Sequence, residues 1–342
     1  MAMKWNWNRF REPGQGAAQD SEACGFHRGM AAYRVTPLVA CPRAAAALGI
    51  GALWVKDESA RFGLNAFKSL GASWAMSRIA RERGAVPDFA AATDGNHGRA
   101  VAWMARRMGA RAHIFVPRNT PPARRALIQG EGARVHVIEG SYDDAVRACA
   151  AESAACGWQV VADTGYDGYL KIPRWVVEGY GTLFAEYAEQ EVEPPDVVFV
   201  QGGVGGLLCA AIRHFSSGPK IVSVEPLDAD CLRESIASPD GEPRTAKGSQ
   251  NSIMHGLNCG EVSLTAWPEI RRGADLFLAI EDELATEAME LLAPMDSGES
   301  GAAGVAGLIA VCREPSLRGE LGIGPQTRVF AINTEARLQA TA

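Results

Sequence analysis

Short apolar runs alternate along the chain with longer stretches in which apolar positions recur at helical spacing. ALWVK (52–56), FAAAT (89–93), AHIFV (112–116), VHVI (135–138) and QVVA (159–162) read as buried strands, being short, unbroken and apolar on both faces. Helices are predicted to follow them at 67–83, 99–108, 121–130, 142–156 and 171–190. After Pro194-Pro195 the alternation resumes with DVVFV (196–200), a helix over 207–215, IVSVE (221–225), DLFLAI (275–280), helices over 282–293 and 301–312, and RVFAIN (328–333). Strands of this kind separated by helices form parallel sheets covered on both sides. The expected fold class is α/β, as two open lobes with mainly parallel sheets and a cleft between them. Pro194-Pro195 and SPDGEPRTAKGSQN (238–251) are the clearest loop signals, and no internal repeat is visible.

Composition narrows the function. At 342 residues, 47% hydrophobic and 22% charged, the chain is long and apolar enough for a core in each lobe. Its 34 basic and 40 acidic side chains leave a net charge of −6 with no dense basic tract, which argues against nucleic acid and for a small-molecule partner. No apolar run approaches the roughly 20 residues of a membrane helix, and MAMKWNWNRFREPGQG lacks the apolar centre of a signal peptide, so a cytoplasmic location is expected. The eight cysteines show no CxxC pair and no histidine at zinc-ligand spacing; they read as reduced packing residues, with no metal site expected.

RFGLNAFKSLGASWA (61–75) surrounds Lys68 with Gly63, Leu64, Phe67, Leu70, Gly71, Ala72 and Trp74, where an ammonium would lose hydration without an obvious carboxylate partner. A lysine there either snorkels to water or serves as a nucleophilic amine of lowered pKa, as a Schiff-base lysine does. VVFVQGGVGGLLCAAI reads as strand, glycine turn and helix, with Gly202, Gly203, Gly205 and Gly206 permitting an anion to approach backbone N–H groups. A ligand-free tight turn has the same appearance. A nicotinamide dinucleotide reading draws on Glu225 at the end of the next strand, but Leu208 stands where that fingerprint needs a small residue, so a lone phosphate fits better. AATDGNHGRAVAW brings Asp94, Asn96 and His97 to another strand end, either as a helix cap or as cleft-lining groups. MDSGESGAAG (295–304) is a similar turn into a small-residue helix, and AINTEA ends the last strand with Thr334 and Glu335.

These segments, in this order, resemble the fold type II family of pyridoxal phosphate enzymes. LWVKDESARFGLNAFKSLGAS, ATDGNHGRAVAW, SYDDAV, DTGYDGYLKIP and GLNCGE resemble the diaminopropionate ammonia-lyases within it, over about Thr36 to Thr334. The resemblance implies pyridoxal 5'-phosphate as cofactor, joined to Lys68 as a Schiff base with Phe67 beside it. It implies that Gly203, Val204, Gly205, Gly206 and Leu207 hold the phosphate, that Asn96 contacts the ring hydroxyl and that Thr334 faces the pyridine nitrogen. A hydroxyl partner leaves that nitrogen largely unprotonated, which suits β-elimination better than transamination. Asp94 and Asp163 match the bases at the α-carbon, and Tyr142 a position near the substrate. The implied activity is elimination of 2,3-diaminopropionate to pyruvate and two ammonia by a homodimer, with a small lobe at 70–165 and a large lobe made of 1–69 and 166–342.

The chain also departs from the family. NSIMHGLNCGE carries His255 and Asn258 where small residues are usual, DTGYDGY replaces a usual Ala-Trp-Glu, and NTEARL lacks the Gly-Asp after its Thr-Glu. If His255 enters the substrate pocket, a serine, threonine or cysteine derivative becomes the alternative substrate; otherwise it is a loop histidine. A dinucleotide-dependent dehydrogenase and a non-catalytic binding protein that holds the cofactor are the alternatives of other classes.

Overall fold

The structure is a computed structural model that describes residues 2–12, 14, 21–93, 95–140, 142–190 and 192–338. Its strands are β1 (Met3–Trp7), β2 (Leu38–Ala40), β3 (Ala52–Asp57), β4 (Phe89–Ala92), β5 (Ala112–Pro117), β6 (Arg134–Ile138), β7 (Gln159–Val160), β8 (Val197–Gln201), β9 (Lys220–Pro226), β10 (Leu276–Ile280) and β11 (Arg328–Asn333). They form a seven-stranded sheet in the order β1-β10-β9-β8-β11-β3-β2 and a four-stranded sheet in the order β6-β5-β4-β7. Every pairing is parallel except those of β1 with β10 and β2 with β3 at the two edges of the larger sheet.

The central strands are apolar on both faces because both are covered. Val198, Val200, Phe330 and Ile332 point into one hydrophobic cluster, whereas Val197, Phe199, Val329 and Ala331 point into another on the opposite face. The predicted helices stand where the periodicity put them: Lys68–Arg83, Asn96–Arg107, Pro122–Gly130, Tyr142–Cys156, Lys171–Glu189, Gly206–His214, Asp282–Leu292 and Glu299–Arg313. The elements absent from that reading are short: β1, β2 and the helices Ser21–Arg28, Pro42–Leu48, Cys231–Ala237, Trp267–Gly273 and Pro315–Leu321. Each offers too few turns or alternations to establish a period.

Lys68–Arg83 packs against Lys171–Glu189 at unusually close range. A Cβ at Gly179 would lie 2.4 Å from the Leu70 carbonyl oxygen, so only glycine permits the crossing. Beside this crossing Lys56, Glu58, Arg61 and Glu186 are buried to within 1% of full coverage. Glu186 receives Lys56 Nζ at 2.8 Å and Arg61 Nη1 at 2.7 Å, and Glu58 receives Arg61 Nε at 2.7 Å. Pairing and hydrogen bonding offset the desolvation of these charges. The network thereby fastens the segment that leads into Lys68.

Candidate active site

Lys68 is the first residue of its helix and is delivered by a loop tied to the end of β11. Phe67 N–H donates to the Thr334 carbonyl at 3.1 Å, and Ala66 bridges to Glu335 in antiparallel fashion. Arg99, one turn into the helix Asn96–Arg107, holds the Leu64 carbonyl at 3.0 Å from the other side.

The lysine is not alone. Its Nζ donates to Asp163 Oδ2 at 2.6 Å, and about a fifth of each side chain is exposed. This corrects the expectation of an amine depressed by apolar surroundings: burial opposes the charge, but Asp163 outweighs it and raises the lysine above its ordinary value. Burial likewise works against the carboxylate, yet Lys68 and then His97 hold Asp163 below the usual carboxylate range. The sequence concealed this partner because 95 residues separate the two. His97 Nδ1 lies 3.8 Å from Asp163 Oδ2 and makes no hydrogen bond there, while its Nε2 meets the Val161 carbonyl at 2.8 Å.

Aromatic rings connect the lysine to the glycine turn. Lys68 Nζ lies 5.4 Å from the centroid of the Phe67 ring, and that ring lies 4.7 Å from Tyr180. Tyr180 in turn covers Gly206, where a Cβ would sit 3.3 Å from Tyr180 Cε2. The Tyr180 hydroxyl is buried and faces Lys68, whose charge acts on it. In the sequence Tyr180 is one more aromatic residue of an apolar helix, with no signal of its place beside Lys68.

The turn after β8 is shaped for an anion. Gly203 and Gly205 have φ of +51° and +98°, and a Cβ at Gly205 would lie 2.3 Å from Ile270 Cδ1. The helix that begins at Gly206 offers Gly206 and Leu207 N–H groups with no carbonyl one turn back to receive them. Val204 is braced from behind by Ser263, whose N–H donates to its carbonyl at 2.9 Å.

Glu225 does not serve a ribose. It is fully buried, and its two oxygens accept the Leu232 and Arg233 N–H groups at 2.8 and 2.9 Å. Both acceptors are therefore engaged inside the protein, and the dinucleotide reading is set aside.

On the opposite side Asn96 donates its amide N–H to Glu335 Oε2. Thr334 is 4% exposed and its hydroxyl donates to the Ser300 carbonyl at 3.4 Å. A cavity of about 580 Å³ opens beside them, with Asn65, Asn96, Arg99, Arg124, Glu299 and Glu335 among its lining residues. His255 lies in a short 3-10 turn, exposed, with Arg124 and Glu299 in electrostatic range. Asn258 closes its own loop by exchanging hydrogen bonds with Ser252 at 3.0 and 2.9 Å. Tyr142 opens its helix with 43% of its surface exposed. Asp94 lies outside the described residues.

A half-buried lysine flanked by an aromatic ring, an N–H cradle closed to side chains at Gly205 and, beside Asp163, an imidazole nitrogen with no hydrogen-bond partner among the described residues suit a phosphorylated pyridine aldehyde. Comparison with known proteins leads to the same group. Residues 30–335 match the family of pyridoxal-phosphate dependent enzymes. The diaminopropionate ammonia-lyase of Salmonella typhimurium is 34% identical over 97% of this chain and 95% of its own. Two crystal structures of the Escherichia coli diaminopropionate ammonia-lyase superimpose with TM-scores of 0.90. The one in complex with an aminoacrylate-PLP azomethine reaction intermediate is 34% identical, over 99% of this chain and 94% of that one. The one in complex with D-serine is 33% identical, over 99% and 95%. The cofactor is thus pyridoxal phosphate, and the chain belongs to the pyridoxal-phosphate dependent enzymes of fold type II, among the diaminopropionate ammonia-lyases.

Proposed function

We propose that the protein eliminates ammonia from 2,3-diaminopropionate, giving pyruvate and a second ammonia after hydrolysis of the released aminoacrylate. The observation that carries this reading is the 2.6 Å pair of Lys68 and Asp163. Bound pyridoxal phosphate supplies the electron sink that makes the α-proton of an amino acid removable. Phe67 and Lys68 hold the cofactor at one side, Gly203, Val204, Gly205, Gly206 and Leu207 receive its phosphate, and Asn96 and Thr334 meet its ring.

Asp163 is the base for one enantiomer. Beside cationic Lys68 it is a weak proton acceptor, but once Lys68 is neutral its main partner is gone and its proton affinity rises. Asp94 is the base for the other enantiomer, on the strength of its motif. The β-amino group then leaves as ammonia, taking the C–N bonding electrons and the proton that Asp163 removed, which neutral Lys68, 2.6 Å from Asp163, relays to the departing nitrogen. Tyr142 and His255 lie toward the substrate's side chain in this scheme. The lobes divide near 69 and 165, which the four-stranded sheet within 89–160 supports. The enzyme works as a cytoplasmic homodimer on the family pattern; among the described residues no helix is long and apolar enough to cross a membrane.

The test is ammonia and keto-acid release from D- and L-diaminopropionate, with serine, threonine and cysteine derivatives in parallel, by the parent, Asp163→Asn and Asp94→Asn. A displaced or neutral base slows proton transfer by roughly 10²–10⁴-fold. Asp163→Asn is expected to lose the L-isomer and Asp94→Asn the D-isomer, with cofactor retained in both. Equal losses on both isomers in each variant would sink the two-base scheme, and a parent more active on another amino acid would move the substrate.

A further inference from the structure

Glu335 follows Thr334 at the end of β11 and is 8% exposed. Three segments of the site meet on it. Its backbone bridges to Ala66 ahead of Lys68, and its carbonyl accepts the Gly298 N–H at 2.9 Å. Its side chain accepts the Asn96 amide N–H. Arg124, from the helix Pro122–Gly130, and the Ser300 hydroxyl favour the same carboxylate, while Glu299 opposes it. Gly298 leaves the space that the side chain fills, since a Cβ there would lie 3.2 Å from Glu335 Oε1 and 2.8 Å from the Ala336 carbonyl oxygen.

An asparagine amide has two N–H groups and one carbonyl oxygen, and its terminal torsion is soft when nothing holds it. With one N–H of Asn96 engaged by a buried acid, the plane of the amide is set and its remaining donor has a fixed direction. We propose that Glu335 is a positioning residue for the cofactor: by anchoring Asn96 it aims that amide at the pyridine ring, and it couples the start of the helix Asn96–Arg107 to the end of β11. This rests on Asn96 being the ring contact. Burial raises the Glu335 carboxyl above its ordinary value, with Arg124 and the Ser300 and Asn96 hydrogen bonds acting against it. A protonated Glu335 presents a donor as well as an acceptor to Asn96, so the ring's surroundings change with pH.

The test titrates cofactor-free protein with pyridoxal phosphate and follows the visible absorption of the bound form across pH. Loss of a charge-assisted hydrogen bond corresponds to about a tenfold change in an equilibrium. Glu335→Ala is expected to raise the dissociation constant about tenfold, but by less than twofold when Asn96→Ala is already present. Glu335→Gln keeps an acceptor for Asn96; it is expected to recover most of the affinity while losing the pH-dependent absorption change. Additive losses in the double variant, or an unchanged constant and spectrum in Glu335→Ala, would overturn the proposal. If Asn96→Ala alone leaves cofactor affinity intact, it is the reading of Asn96 that fails. Should Glu335→Ala melt at a lower temperature than the parent, the isosteric Gln variant decides by the same spectrum.

Discussion

At the residue scale the informative side chains are buried groups whose partners lie far away in sequence. Lys68 was visible as an anomaly, a cation among small and apolar neighbours. Its explanation was not, because Asp163 reaches it only through the fold. Glu225 shows the reverse: its spacing after the glycine turn suggested a ribose ligand, and the structure turns it inward onto two backbone N–H groups. Burial pushes its carboxyl up to about 8, with those N–H groups acting against the rise. Between about pH 4.5 and 8 the unfolded chain has therefore lost a proton that the folded protein keeps, and stability declines as pH rises through that window. Glu225→Gln is expected to flatten this part of the pH dependence, which urea unfolding at a series of pH values measures. An undiminished slope would assign it to other groups.

Elements were more legible than contacts. The helices Tyr142–Cys156 and Pro122–Gly130 were readable to within a residue because their period runs over several turns, whereas the helix Cys231–Ala237 and strand β1 were missed. The glycine turn was read correctly as a turn, but sequence could not say which glycine is indispensable. A Cβ at Gly203 would make only ordinary contact, 3.5 Å from Leu257 Cδ2 and 3.6 Å from Cys259 Sγ, whereas one at Gly205 would meet Ile270 Cδ1 at 2.3 Å. Gly205→Ala would force a left-handed φ of +98° on a residue with a Cβ and press it into a buried neighbour. A cost of about 1–3 kcal/mol is expected, together with weaker cofactor retention. Combining it with Ile270→Ala should relieve the steric part, leaving only the backbone strain. Urea unfolding and cofactor titration of the single and double variants check both claims; equal cost in both backgrounds would exclude the clash.

For the molecule as a whole, two sheets were foreseeable from alternation, but the buried ionic network was not, since Lys56, Glu58, Arg61 and Glu186 look like ordinary surface charges in sequence. Burial works against the charge of Glu186, yet Arg61 and Lys56 hold its carboxyl down to about 2. Its contribution is present above about pH 4.5 and is lost as pH falls toward 2. Glu186→Ala would leave two buried cations underpaired, for a cost of about 3–5 kcal/mol at neutral pH, shrinking on acidification. Chemical unfolding at pH 7 and pH 3 measures both, and a neutral-pH loss below about 1 kcal/mol would mean that water enters to replace the carboxylate.

β11, latest of the strands in the chain, lies between β8 and β3, which are separated from it by over a hundred residues. During synthesis the large sheet has a gap at its centre until residues 328–333 emerge, and Thr334 and Glu335 arrive only with them. Closing that gap is a long-range event of the kind that makes folding slow and exposes unpaired edges. Lys68 is therefore made long before Thr334 and Glu335, and the site to which they belong is complete only once β11 has closed the sheet.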